Sequence, residues 1–418
     1  MRLFDFAGVT ALLVAGAIAQ VPQLPRPRNC NGVGNFRFQY TTSNGWTAFK
    51  IAGNLRQVRT IVFDTKGNML VAEASRGISV HTFGTDGCIN GTSMLISASQ
   101  LNHGLALTPD GRTFNQKTVV RGMSTGIHFT RTIAVVPQQP NLILLQVGSN
   151  SNFDMDSARP STGRAIIKIF DTSRAPSNGW NYNTDGEVYG YGLRNTIGFV
   201  PDPNGHFWGV ENSGDDFYRT ENGQRRDIHN DNPAEELNYL GDPLTVRNAW
   251  YGYPTCFAVW EPSNFPGTSL KTGSNFVVSP NGTYNDATCD SQGAIPPRLS
   301  FQAHSAPIWN AFDAEAKNMY VAFHGSWNRQ PATGYKVVEI PFQKNVNGNY
   351  EPVAPADSKT GYRDIFSAPN PSGCTTFGLT NSNCFRLTAV AWDPAGRGLF
   401  VGSDNSNEGE IYILYPPA

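Results

Sequence analysis

The strongest constraint on what this chain can fold into is internal repetition. Six segments share one form: a basic opening residue, an apolar β-rich run, a turn of Asp, Pro, Gly or Asn, and a second apolar run. They are RTIVFDTKGNMLVAEA from Arg59, HGLALTPDGRTF from His103, RTIAVVPQQPNLILLQVG from Arg131, RNTIGFVPDPNGHFWGVE from Arg194, HSAPIWNAFDAEAKNMYVAFHG from His304 and RLTAVAWDPAGRGLFVGSD from Arg386. Each reads as a hairpin, and several run on into a further strand, as at Ile166 to Phe170 or Lys336 to Ile340. Six such units predict a six-bladed β-propeller, an all-β fold forming a single domain over residues 20–418. A two-sheet sandwich would hold the strands but would not explain six copies. The second repeat is short: only NQKTVV lies between DGRTF and Arg121, which predicts a truncated second blade. FRFQYTTSNGW, from Phe36, has no hairpin of its own and is expected to complete the last blade. The stretches Asn212 to Tyr239 and Tyr251 to Pro297 are expected as loop excursions on one face.

With 42 glycines, 28 prolines and 11% aromatic residues, the composition fits a turn-rich β protein. The net charge of −1 provides no overall basic field, so nucleic acid is not an expected partner and any charged ligand must meet a local patch. Residues 1–19 carry Arg2, an apolar run from Phe6 to Ile18 and Ala17-Ile18-Ala19, which reads as a signal peptide. That run is too short to span a bilayer and no later one is longer, so the chain is expected to be secreted and extracellular. In that compartment its six cysteines, none in a CxxC pair, are expected as disulfides. Sequence proximity favours Cys374 with Cys384 and Cys256 with Cys289, leaving Cys30 with Cys88. Asn90-Gly-Thr and Asn281-Gly-Thr are glycosylation acceptors.

The innermost strand of a propeller blade lines the central channel, so equivalent positions of the repeats meet in space. The opening positions are Arg59, His103, Arg131, Arg194, His304 and Arg386: four arginines and two histidines. Each arginine could pair with a carboxylate. Four at one repeat position, with no acidic neighbours in sequence, instead favour a ring that receives a small polyanion, because guanidinium forks onto carboxylates and phosphates.

GLRNTIGF from Gly192, STGIHFTRT from Ser124, NPAEELNYLG from Asn232 and FHGSWNR from Phe323 resemble segments of the fungal pyrroloquinoline-quinone (PQQ)-dependent pyranose dehydrogenases. These are relatives of sorbosone dehydrogenases and, more distantly, of bacterial soluble quinoprotein glucose dehydrogenase. The resemblance runs from about Arg59 to the C-terminus. It implies a propeller that holds PQQ, a flat tricarboxylate, over Ca2+, and oxidises a sugar. Arg194 and Asn195 are then expected to contact the quinone, with Arg194 at its reactive carbonyls. Arg59, Arg131 and Arg386 are expected on its carboxylates, with His103, His324, Trp327 and Asn328 completing the cofactor site. ENSGDD from Glu211 matches the calcium loop and offers Ser213, Gly214, Asp215 and Asp216. His128 matches the general base of the bacterial relatives, which orient it with an aspartate; here Ser149 and Asn150 stand at that place. His103 and His324 are rivals for the role of base.

There is no CxxCH haem signature, and no second domain follows Ala418 in this sequence, so electrons are expected to leave to an external acceptor, a cytochrome, a quinone or a copper enzyme. Two other functions compete. A calcium-dependent, lactonase-like propeller hydrolase would place carboxylates and asparagines, rather than arginines, around the axis. A non-catalytic carbohydrate-binding propeller would repeat one aromatic-rimmed site per blade, whereas the residues that differ between these repeats are the ones at the channel.

Overall fold

The computed structural model describes residues 24–27, 29–108, 118–124, 126–378 and 380–417. The segment read as a signal peptide lies outside them. Alternating apolar runs separated by Gly, Asn and Asp turns form antiparallel ladders, and the helix Asp286–Ser291 is the only α-helix among the described residues. The fold is an all-β propeller.

Among the described residues five blades are formed, not the six expected. The first contains Val58–Phe63, Met69–Glu73, Gly77–Phe83 and Ile89–Ser97. The second contains Ile133–Val135, Leu142–Val147, Ile166–Asp171 and Glu187–Tyr191, with Ala249–Trp250 alongside. The third is built from Thr196–Pro201, Phe207–Glu211, Glu235–Gly241 and Leu299–Phe301. Pro307–Phe312, Asn318–Phe323, Lys336–Lys344 and Arg363–Ser367 make the fourth. Leu387–Trp392, Leu399–Ser403, Gly409–Tyr415 and Thr47–Leu55 make the fifth.

The missing blade is that of the repeat at His103. The chain between His103 and Arg131 is shorter than the stretch from Val58 to Ser97 that makes the first blade, and its described residues form no four-stranded ladder. Residues 101–108 instead run extended between the first and second blades. Thr60 Oγ1 donates to the His103 carbonyl (2.9 Å), and the Gly104 N–H donates to the Arg131 carbonyl (2.9 Å). The other blade junctions are packed apolar layers. Trp309, Val337, Leu387, Val401 and Tyr412 join the fourth blade to the fifth, and Val58, Ile61, Val71, Phe400 and Ile411 join the fifth to the first. Trp208, Leu237, Met319 and Val321 join the third to the fourth, and Leu144, Ile167, Phe199 and Phe207 the second to the third.

Ring closure comes from the N-terminal side, one segment later than expected. Thr47–Leu55 pairs with Gly409–Tyr415, whereas Thr41–Thr42, inside the Phe36 to Trp46 segment, pairs with the outer strand of the fourth blade. The stretch Asn212 to Tyr239 is only partly an excursion. It contains the hairpin Tyr218–Glu221 with Gln224–Asp227, then supplies the third strand of its blade. The excursion from Tyr251 carries a small ladder and the helix, tied together by the Cys256–Cys289 disulfide. Cys30–Cys88 and Cys374–Cys384 are also bonded, giving the three pairs that sequence proximity favoured.

Candidate active site

The opening residues of the repeats are aimed by a shared backbone device. In four blades the ladder between the first and second strands slips by one residue at its start: between Val58 and Thr60, Thr196 and Gly198, Pro307 and Trp309, and Leu387 and Ala389. A bulge of this kind bends the strand and re-aims nearby side chains; Arg59 lies within its bulge, and Arg194, His304 and Arg386 lie just before theirs. The second strand then caps the freed N–H: Glu211 Oε1 accepts from the Arg194 N–H (2.7 Å), and Ser403 Oγ from the Arg386 N–H (3.0 Å). Threonines one or two residues downstream tie neighbouring inner strands, as Thr388 Oγ1 does to the Val58 carbonyl (2.6 Å) and Thr132 Oγ1 to the Ile197 carbonyl.

One axial cavity gathers Arg59, Arg194, His304 and Arg386 from four repeats, with Asn195, His324, Trp327, His128, Ser213 and Asp215 in its wall. Two expected members are elsewhere. The Arg131 guanidinium turns onto the carbonyls of Ser124, His128 and Thr130, so it braces the His128 segment instead of facing the cavity. His103 is buried edge-on to Trp309 and is not in the cavity wall. Gly214, Asp216 and Asn328 are also outside the wall, and the Asn328 carboxamide pairs with Asp216.

The cations do not stand alone, as their sequence surroundings suggested. They form two clusters, each around a carboxylate. Asp404, fully buried, meets Arg59 Nη1 at 2.9 Å and His324 Nε2 at 2.7 Å. Asp215 meets Arg194 Nη2 at 3.1 Å and lies 3.5 Å from His304 Nδ1. Asp215 was expected as a calcium ligand rather than as the partner of Arg194, and Asp404 was not named because it lies far from Arg59 in the chain; the acidic GSD and SGDD turns were the signal that could have found both pairings. Taking a guanidinium out of water costs several kcal/mol, so a buried carboxylate beside it is the expected compensation. Burial works against ionisation of Asp404, but His324, Arg59 and Arg386 outweigh it and hold the carboxyl below its usual range. Asp215 is held low in the same way by His304 and Arg194.

The remaining titratable groups differ in sign. Burial and then Arg386 push His324 down to about 4, so it is a neutral donor to Asp404. His304 is buried, yet Asp215, Glu235 and the His229 carbonyl together raise it. With acceptors at both ring nitrogens it is a double donor, which is the imidazolium form. Burial lifts Glu235, which also lines the cavity, to about 7. The balance is three guanidiniums and a proton-holding imidazole against two ionised carboxylates and the partly ionised Glu235, a net positive site with room for further negative charge.

His128 lines this cavity. Its Nδ1 lies 3.1 Å from the Ser149 carbonyl and 2.9 Å from Ser149 Oγ, which itself donates to the Ser151 carbonyl (2.7 Å). A carbonyl can only accept, so the proton is on Nδ1 and Nε2 carries the lone pair. Burial and then Arg194 push His128 down to about 3, which keeps it neutral. Gly148 makes room for it, since a Cβ there would stand 2.6 Å from His128 Cβ. The orienting group is thus Ser149, and Asn150 instead offers its N–H to Asp154.

The donor chemistry fits an anionic, flat ligand. Arg59 Nε and Asn195 Oδ1 are buried with no hydrogen-bond partner among the described residues, and the Trp327 indole is 61% exposed in the cavity wall. His304 and Ala306 both adopt left-handed backbone (φ 60° and 56°) in that wall, a strain of about 1–3 kcal/mol each that surrounding structure must hold. For a hard cation, the Asn212 and Ser213 carbonyls and the Asp215 carboxylate converge as an oxygen set, and the cation they hold here is the Arg194 guanidinium. Among the described residues no three His, Cys, Asp or Glu side chains gather as metal ligands.

The chain is similar to proteins of known structure and name. A Coprinopsis cinerea protein named pyrroloquinoline quinone-dependent pyranose dehydrogenase is 40% identical over 410 residues, covering 92% of this chain and 56% of that protein. The chain therefore spans about half the length of that curated relative. The solved holo form of the pyranose dehydrogenase PQQ domain from Coprinopsis cinerea superposes with a TM-score of 0.88 at 40% identity, covering 92% of this chain and 99% of that one. A calcium structure of a family AA12 carbohydrate-active enzyme from Trichoderma reesei gives 0.82 at 32% identity, covering 92% and 99%. The TrAA12-like family model matches residues 40–115 and 112–417, nearly the whole propeller, and the chain belongs to that family.

Proposed function

We propose that this chain is a secreted PQQ-dependent dehydrogenase that oxidises a sugar, a pyranose such as an aldose or ketoaldose, and passes the electrons to an external acceptor. What carries this reading is the net positive axial cavity with His128 in its wall. Arg59, Arg194 and Arg386 would hold the quinone carboxylates and carbonyls. Asn195 would supply the buried oxygen that lacks a donor, and Trp327 a face for the flat ring system. Calcium would take the oxygen set of the Asn212 to Asp215 loop, beside the Arg194 guanidinium that its carbonyls also meet.

When bound, the quinone supplies the redox chemistry by accepting two electrons and hydrogen from the sugar carbinol. The chain's own contribution is to position and to move a proton. His128 Nε2 accepts the hydroxyl proton, with Nδ1–H fixed on Ser149 so that the lone pair faces the cavity. Arg131 holds the His128 carbonyl, and the bulges fix where the guanidiniums point. Secretion rests on the apolar N-terminal run and the three disulfides; no described helix is long and apolar enough to cross a membrane.

The test is to add PQQ and calcium to the purified protein and follow the cofactor spectrum while titrating sugars with a dye acceptor. Micromolar binding and bleaching by a sugar are expected; absence of quinone binding rejects the reading. Arg194→Ala removes a guanidinium that is 2% exposed and central to the Asp215 cluster, and is expected to weaken quinone binding by about 100-fold. Titrating the variant by the same spectrum checks this.

A further inference from the structure

The outer strand of the first blade, Ile89–Ser97, has an open edge among the described residues. Its sequence, INGTSMLIS, has no charge and no proline. Met94 and Leu95 are 38% and 45% exposed, and the strand pairs only with Gly77–Phe83 among the described residues. The outer strands elsewhere are protected. Glu187–Tyr191 is flanked by Ala249–Trp250, Arg363–Ser367 by Thr41–Thr42, Leu299–Phe301 is buried, and Thr47–Leu55 carries Lys50 paired with Glu408 and Glu410. A long uncharged β edge with exposed apolar side chains is a template for pairing with another chain, and folded proteins blunt such edges with charge, proline or a cover. None of the first two is present on this strand.

The strand does contain Asn90-Gly-Thr92, at its second residue. Asn90 is exposed, its Oδ1 accepting a hydrogen bond from Thr82 Oγ1 at 2.7 Å, and the Cys30–Cys88 disulfide anchors the strand just before it. We propose that Asn90 carries an N-linked oligosaccharide that covers the open edge of the first blade. In the transfer, Asn90 Nδ2 attacks the anomeric carbon of a polyprenyl-diphosphate-linked oligosaccharide. The carbon–nitrogen bond forms, the anomeric carbon–oxygen bond to the diphosphate breaks, and the amide gives up one proton. The glycan is hydrophilic and bulky, so it denies the edge to a second strand. This inference rests on secretion, which the second acceptor, Asn281, exposed on a turn in the excursion, reports separately.

The experiment expresses the full chain in a secreting eukaryotic host, maps glycopeptides by mass spectrometry and measures oligomeric state by light scattering after gel filtration. Asn90 is expected to be occupied. Asn90→Gln is expected to lose the monomer peak to dimers and aggregates with its far-ultraviolet circular dichroism unchanged, while Asn281→Gln stays monomeric. Leu95→Lys, placing a charge on the bare edge, is expected to restore the monomer in the Asn90→Gln background. An unmodified Asn90 beside an occupied Asn281 overturns the proposal and leaves secretion standing. A monomeric Asn90→Gln protein overturns it too, as does an aggregate that Leu95→Lys does not rescue.

Discussion

Replacing Asp404 by Ala is expected to cost about 3–5 kcal/mol of stability at neutral pH, more than any other single change in the axial cavity. The carboxylate has no exposed surface, and Arg59 and His324 both converge on it. Without it, Arg59 and Arg386 remain in a buried site with their main counter-charge gone, and an uncompensated buried charge is worse than no pair. The pH dependence has a definite sign. The folded state holds the Asp404 carboxyl below its ordinary value of 3.8, so its stabilisation is present above that value and is lost as the pH falls through the lower folded value. The gap between wild type and Asp404→Ala should therefore be full at pH 7 and close under strong acid. Chemical denaturation at several pH values measures it.

The second large effect is on turnover. His128→Ala is expected to lower kcat by about 10²–10⁴-fold, the range a positioned general base supplies, with quinone affinity nearly unchanged because His128 contributes no charge to the cavity. Equal loss of turnover and affinity would assign His128 a structural role. The cofactor-free protein provides an independent reading. With burial and Arg194 holding the imidazole down to about 3, an NMR titration should find it neutral across the range where an ordinary histidine protonates, with the proton on Nδ1. An ordinary titration near 6.5 would contradict the environment assigned to it.

Sequence spacing and structure part company at the arginines. GLRNTIGF places Arg194 at the start of a strand, and the repeats place three other arginines likewise, which is legible because strand, turn and strand are local patterns. What each guanidinium touches was not legible. Arg131 has the same repeat position as Arg194 yet bends back to carbonyls of its own segment, and its strand is not among those with the bulge at the start of the ladder. Ser149 could be named as standing where an aspartate orients the base in bacterial relatives, but that its carbonyl fixes the proton on Nδ1 required the distances.

By itself the sequence determined the propeller class, the repeat positions that become inner strands and the cation-rich set at their openings, and it favoured the nearest-neighbour disulfides among fifteen possible pairings. These follow from hydrophobic period, turn chemistry and chain proximity, all of which act over short stretches. Only the tertiary structure decided the number of blades formed and the carboxylate beside each buried guanidinium. Arg59 and Asp404 come from opposite ends of the propeller sequence and meet because the ring closes between the fifth blade and the first. No local pattern reports that contact: the cost of burying charge is settled by whichever groups ring closure brings together, whatever their distance along the chain.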